Sequence, residues 1–171
     1  MMPERLSRPE FIALMAMLFA TIAFSIDAML PAMPEIAAEL SPDAPNRAQL
    51  IITSFVLGMG IGTMFTGPLS DAFGRKPVIF AGAALYILGA ALAWAAQTLE
   101  LVLIARVLQG VGAAGPRVVS LAIIRDLYEG RQMAQLMSFV MMIFTLIPAV
   151  APAIGAGIIA LAGWRSIFIA F

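Results

Sequence analysis

Neither cysteine nor histidine occurs in this chain, and each absence closes off a class of chemistry. Without cysteine there are no disulfides and no thiolate metal sites, although the absence says nothing about compartment. Without histidine, any proton chemistry inside a low-dielectric region has to use carboxylates. Charge is scarce as well: 12% of residues are charged, against 62% apolar, and mean hydropathy is +0.99. That balance excludes an ordinary soluble domain. The ten basic and ten acidic residues cancel, so no electrostatic case exists for nucleic acid as a partner. There is no G-x-x-x-x-G-K-[ST], so ATP hydrolysis by this chain is not what it points to.

What the chain does have is a series of uncharged runs long enough to cross a bilayer, for which about 20 residues at 1.5 Å rise each suffice. The runs predict five membrane-spanning helices, at about 11–30, 48–66, 77–96, 99–124 and 133–162, with a sixth starting near 166. Ser7 and Glu10 have the spacing of an N-cap and its reciprocal glutamate before the first span. Pro31 and Pro34 are expected to end that span, and the acidic stretch Glu35–Arg47 reads as a loop. Asn46 and Gln49 are candidate caps for the second span, and Thr98 with Glu100 opens the fourth. Arg5, Arg8, Arg75, Lys76, Arg125 and Arg131 collect on one side, with Arg47 and Arg165 on the other, which puts the N-terminus in the cytoplasm. The apolar part of the first span is somewhat long for a signal peptide and more spans follow, so it is read as retained.

Three ionisable residues fall inside predicted spans: Asp27, Arg106 and Arg117. Such residues are costly toward lipid and ordinarily face a cavity or a partner. Asp27 stands ~24 Å along the first span and Arg106 ~21 Å up the fourth from the same face, one level to within a helical turn. Desolvation favours a neutral carboxyl and a neighbouring guanidinium favours a charged one, so a change in their spacing would load or release a proton. A static polar contact between helices is the plainer alternative. Arg117 lies near the cytoplasmic end, where its long side chain can reach the interface. Gly110–Gly115 spells G-x-G-x-x-G, a dinucleotide-binding pattern. Its membrane-length surroundings, with Arg106 inside the supposed strand, instead make these glycines helix-packing residues.

The tight turn Gly67–Val78, read GPLSDAFGRKPV, resembles the loop between helices 2 and 3 of the major facilitator superfamily of transporters, with Ala72 where that family usually has a basic residue. Leu103–Ala114, LIARVLQGVGAA, is similar to the superfamily's helix 4 motif. Ser25–Pro34, Arg125–Tyr128 and Met137–Met141 resemble its bicyclomycin and chloramphenicol resistance (Bcr/CflA) branch. Val150–Ala156 is a partial match to the antiporter motif of exporters, with alanines in place of both flanking glycines.

The resemblance implies an all-α membrane protein: the N-terminal helical bundle of the fold, five spans and the start of a sixth, with the C-terminal half absent and transport incompetent alone. It implies proton-coupled efflux of small amphipathic drugs across the inner membrane, a non-enzymatic activity without cofactor or metal. Its partners would be protons, drug, lipid and the other half. By the same resemblance Asp27, Arg106 and Gln109 serve proton coupling and the substrate cavity. Gly67, Asp71, Gly74, Arg75, Lys76 and Asp126 form a conformational latch, and Pro148, Pro152 and Gly155 form the antiporter-like element of helix 5. A proton-coupled importer of a small organic solute and a non-transporting assembly subunit remain open alternatives. Met29, Met33, Met141, Met142 and Phe144 are candidate lining for an apolar pocket. Gly67…Gly74-Arg75 and Gly157…Gly163-Trp164-Arg165 echo one another on opposite faces, as inverted three-helix repeats would.

Overall fold

The computed structural model describes residues 7–171; Arg5 and the side chain of Arg8, both used for orientation above, fall outside what it describes. Its helices are α1 (Arg8–Asp27), α2 (Met33–Leu40), α3 (Leu50–Phe73), α4 (Arg75–Ala95), α5 (Leu99–Leu127), α6 (Gly130–Ala162) and α7 (Ile167–Ala170), with no strand among the described residues. Five stretches are long and apolar enough to cross a membrane: Pro9–Leu40, Pro45–Phe73, Arg75–Ala95, Leu99–Leu127 and Gly130–Ala162. This is an all-α bundle of the kind a bilayer demands, in which helices satisfy most of their backbone polar groups internally.

The first span does not stop at its prolines. The backbone breaks at Asp27, takes a 3-10 turn over Leu30–Ala32 and resumes as α2, so part of the stretch read as an acidic loop is helical. Proline at residue 31 has no N–H for the Asp27 carbonyl, which ends α1. Pro31 and Pro34 then fall in the first turns of the next two elements, where a missing N–H costs nothing. Ala28, Met29, Ala32 and Ile36 are fully buried, and this packing holds the broken segment against the bundle.

The turn expected at Gly67–Val78 is shorter than the sequence suggested. Helix α3 continues through Pro68 to Phe73, and α4 starts at Arg75, leaving Gly74 alone to reverse the chain. Gly74 manages this at φ +92°, a conformation side chains resist. Similarly, α5 runs to Leu127, so Arg125 and Asp126 belong to its last turn and the loop shrinks to Tyr128 and Glu129. Asn46 and Gln49 do not cap α3 through their side chains: residues 45–49 form a 3-10 turn leading into it. Thr98 does cap α5, accepting the Leu101 N–H at 3.4 Å, and the Ser7 N–H donates to Glu10 at 2.8 Å.

Helix α5 is the spine, packed along both α3 and α4, while α1 pairs with α6. The spine comes close enough to α3 that a Cβ on Gly110 would overlap the Phe55 carbonyl. Small residues of this kind let helices approach in lipid, where burial of apolar surface supplies little drive. Buried side chains stack in three clusters: Phe11, Met15, Phe19, Ile124, Leu136 and Val140 at the N-terminal face; Ile22, Phe55, Tyr86 and Ala113 in the middle; Met29, Ile36, Ile51, Leu99, Val102, Trp164 and Phe168 at the far face. Met64, Phe65, Phe80, Ile87 and Leu161 point outward, as lipid-facing residues do.

Candidate functional site

At mid-bundle, where α1 breaks, sits Arg106, the largest fully buried side chain. Helix α5 projects its guanidinium into the helix junction, where it makes a ring of contacts. Nη2 donates to the Ser25 carbonyl at 3.0 Å, Nη1 to Gln109 Oε1 at 2.7 Å and Nε to the Ile51 carbonyl at 3.4 Å. The planar cation lies over the Phe55 ring at 4.3 Å and faces Phe171 at 5.7 Å. The Ser25 carbonyl is one of the last four of α1, which a helix cannot satisfy internally. The break at Asp27 therefore creates the acceptor that Arg106 uses.

Asp27 is half-buried at the C-terminal end of α1, two residues beyond Ser25. The structure places it near the level of Arg106 but pairs the two with no ion pair; none to Asp27 occurs among the described residues. The guanidinium is held by neutral oxygens and an aromatic face. Gln109, also fully buried, uses its oxygen on Arg106 and leaves its Nε2 without a partner. A buried amide donor without an acceptor costs about 1–3 kcal/mol, so the junction carries one unsatisfied bond. Two polar residues that sequence reasoning passed over complete it. Ser25 donates to the Thr21 carbonyl at 2.7 Å and its hydroxyl also contacts that of Tyr86, which is 5% exposed. The available signal was their chemistry: a tyrosine and a serine within apolar spans, the serine half a turn before Asp27. A cavity of about 210 Å³ opens beside Tyr86, lined by Thr21, Ile22, Ala113, Pro116 and Phe171. Arg117 is exposed and takes no part.

Helix α6 closes the junction from the other side. Its prolines, Pro148 and Pro152, lie inside a continuous helix, and a Cβ on Gly155 would overlap the Ala28 carbonyl, the residue after Asp27. The methionines do not form one pocket. Met29 is buried in the far-face cluster with Met33 against it, Met141 and Phe144 pack at the N-terminal face, with Phe144 edge-on to Phe19 at 6.3 Å, and Met142 is 62% exposed.

At the N-terminal face Arg75 gathers three oxygens. It donates to Ser70 Oγ and Asp71 Oδ1, each at 2.6 Å, and to Asp126 Oδ2 at 3.2 Å, joining the end of α3, the start of α4 and the end of α5. Gly74 makes this possible by turning the chain in one residue. Lys76 is exposed and makes no ion pair among the described residues, and Gly67 sits inside α3 with nothing within 4 Å of a Cβ position, so neither joins the cluster. A second cluster occupies the far face. Glu39 of α2 accepts from Trp164 Nε1 and from Arg165 Nη1, both at 2.7 Å, while Arg165 also reaches the Ala96 carbonyl at 3.4 Å and lies 4.2 Å over the Trp164 ring. Gly163, at φ +77° and ψ 168°, repeats the Gly74 geometry of φ +92° and ψ 160°. Both glycines end a long helix and precede an arginine that ties three segments together.

Comparison with known proteins accounts for this arrangement. A bicyclomycin resistance protein homolog from Haemophilus influenzae is 37% identical over 158 residues, covering 92% of this chain and 39% of that protein. An uncharacterized MFS-type transporter, YdgK, from Bacillus subtilis is 35% identical over 167 residues, covering 96% and 40%. The multidrug resistance protein MdtL of Shewanella oneidensis is 39% identical over 145 residues, covering 84% and 36%. The chain thus spans about two fifths of the length of these relatives. The family model of the Major Facilitator Superfamily matches residues 13–171, and this multi-pass membrane chain belongs to that family of transporters.

Proposed function

We propose that this chain forms the N-terminal part of a transporter that expels small amphipathic drugs across the inner membrane in exchange for protons. The observation that carries this reading is the fully buried guanidinium of Arg106 held on the Ser25 carbonyl at the broken end of α1, two residues before the half-buried Asp27. A broken membrane helix with a charge at its break is a common way to build an ion or substrate site at the bilayer midplane. Relatives named for bicyclomycin and multidrug resistance support the choice of drugs as cargo.

The chemistry follows from the contacts. With Asp27 protonated, Arg106 has no carboxylate competitor and stays on the Ser25 carbonyl, Gln109 and the Ile51 carbonyl. Loss of the proton puts a negative charge two residues further along α1, and the attraction between opposite charges in a medium of low dielectric draws the guanidinium toward it. Since Ser25 and Asp27 share one helix end, that movement shifts α1 against α5. Gly155 keeps α6 close to the same junction and passes the shift on, with Pro148 and Pro152 as its bending points. At the N-terminal face, which the excess of Lys and Arg assigns to the cytoplasm, Arg75, Asp71 and Asp126 form the latch that is made in one state and broken in the other.

The experiment uses the full-length protein in liposomes loaded with a pH-sensitive dye. Bicyclomycin and chloramphenicol are added to wild type and to Asp27→Asn. Drug-dependent proton movement that disappears in Asp27→Asn supports antiport through Asp27. Movement that survives the substitution removes Asp27 from the mechanism. Proton and drug moving in the same direction would make the protein an importer, and no movement in folded protein would favour an assembly role.

A further inference from the structure

Tyr86 belongs to neither the coupling pair nor the latch, yet it is the residue through which α4 reaches the junction. Its hydroxyl contacts that of Ser25 across sixty-one positions of sequence. The direction of that bond follows from counting protons. A serine hydroxyl has one hydrogen, and Ser25 spends it on the Thr21 carbonyl at 2.7 Å. Tyr86 must therefore donate to Ser25, which leaves the phenolic lone pairs free to accept. The buried Gln109 side chain is the hydrogen-bonding neighbour that this hydroxyl faces, and its Nε2 is a donor free to use those lone pairs. Gln109 Oε1 receives Arg106, and Arg106 returns to the Ser25 carbonyl. The four residues thus form a loop of donors and acceptors, Ser25 to Arg106 to Gln109 to Tyr86 and back to Ser25.

We propose that Tyr86 is a positioning residue for proton coupling: it holds Ser25, and with it the carbonyl that anchors Arg106, in register with Asp27. The inference rests on the proposed antiport through Asp27 and adds to it the part that sets the guanidinium's resting place. Helices α3 and α6 contribute no competing charge at this level, since residues 50–70 and 132–162 carry none. Apart from Tyr86 itself, Asp27 and Arg106 are the ionisable groups around the loop. Rotation of the Tyr86 ring would change the hold of Ser25 and Gln109 on Arg106. The cavity of about 210 Å³ beside Tyr86 gives the ring room for this movement.

The test measures protons moved per drug molecule in liposomes containing the full-length transporter, with chloramphenicol and bicyclomycin as probes. Variants are Tyr86→Phe, Ser25→Ala, the double variant and Asp27→Asn, each checked for a monodisperse peak on gel filtration. Tyr86→Phe keeps the ring and loses the hydroxyl. It is expected to lower the ratio at least two-fold while the apparent affinity for drug stays within two-fold. Ser25→Ala is expected to do the same, and the double variant no worse than either single one, because both cut one link. A wild-type ratio in folded Tyr86→Phe overturns the proposal; if that variant does not fold, a wild-type ratio in Ser25→Ala does. Additive losses in the double variant overturn it too, since independent packing defects would add. If wild type moves no protons with drug, or Asp27→Asn keeps the full ratio, the antiport reading itself fails and the positioning role falls with it.

Discussion

Replacing Gln109 by glutamate tests whether the centre of this bundle is short of an acceptor charge. In the wild-type arrangement Arg106 is fully buried with neutral oxygens around it, and the Gln109 Nε2 has no partner. Gln109→Glu replaces that orphan donor with a second acceptor, which removes a penalty of about 1–3 kcal/mol. It also turns the 2.7 Å contact with Arg106, in which only the donor is charged, into an ion pair whose Coulomb attraction adds to the bond. Against this stands the desolvation of a carboxylate, several kcal/mol in isolation, but here offset by a guanidinium already in place. The removed penalty and the added attraction outweigh what remains of the cost, so the glutamate variant is expected to be the more stable. Gln109→Leu gives the contrast: it removes the orphan donor and the acceptor together, leaving Arg106 one bond short, and comes out within ~1 kcal/mol of wild type. The assay is heating of the detergent-solubilised full-length transporter with the surviving monodisperse fraction read by gel filtration. Gln109→Glu should survive to a higher temperature than wild type and transport more slowly, because Arg106 is then held in one place. A glutamate variant less stable than Gln109→Leu would refute the reasoning and show that carboxylate desolvation governs the site.

Further predictions follow from other contacts. Gly110→Val drives a branched side chain into the Phe55 carbonyl and should cost about 3 kcal/mol or more, whereas Gly60→Ala, with nothing within 4 Å, should match or slightly exceed wild type in the same thermal assay. Glu39→Ala removes the acceptor of both Trp164 and Arg165; because the Glu39 carboxylate is about half exposed the loss in stability should stay under ~1 kcal/mol, while the emission of Trp164, measured with Trp94 replaced by Phe, shifts to the red. Pro31→Ala restores an N–H for the Asp27 carbonyl and should extend α1 past its break. The Ser25 carbonyl then turns back into its own helix, and proton movement with drug should fall at least as far as in Tyr86→Phe, with the protein still folded.

The spans themselves were legible because bilayer crossing demands long uncharged runs, and runs such as 77–96 and 133–162 mark themselves. Their ends were harder. Pro68 inside α3 and Pro116 inside α5 show that membrane helices carry prolines which would end a soluble one; Pro31 does end α1, but the chain resumes a helical course through Pro34 into α2. The charges of the N-terminal cluster were legible through the family resemblance, which brings Asp71, Arg75 and Asp126 together. That Lys76 would stand apart was not, because it depends on which way the first turn of α4 faces after the Gly74 reversal. The partnership of Arg106 with a backbone carbonyl was illegible for a more general reason. Sequence reasoning about charge looks for an opposite charge, and Asp27 was there to be found. A helix end offers acceptors too, but only once its break is known.

That break links the separate observations into one chain of causes. Proline at 31 denies the Asp27 carbonyl its bond, α1 ends, and the Ser25 carbonyl is freed. A freed carbonyl in the middle of a bilayer has no water to turn to, so it needs a donor from a neighbouring helix, and Arg106 supplies one. A guanidinium there needs more than one oxygen, which Gln109, one turn further along α5, and the Ile51 carbonyl provide. Each of these groups is half-satisfied without the others, and the Gln109 amide remains so. A fully satisfied junction would be rigid. One in which the arginine rests on carbonyl oxygens, next to a carboxylate that has not claimed it, leaves the guanidinium a second place to go, and the proposed coupling needs that freedom.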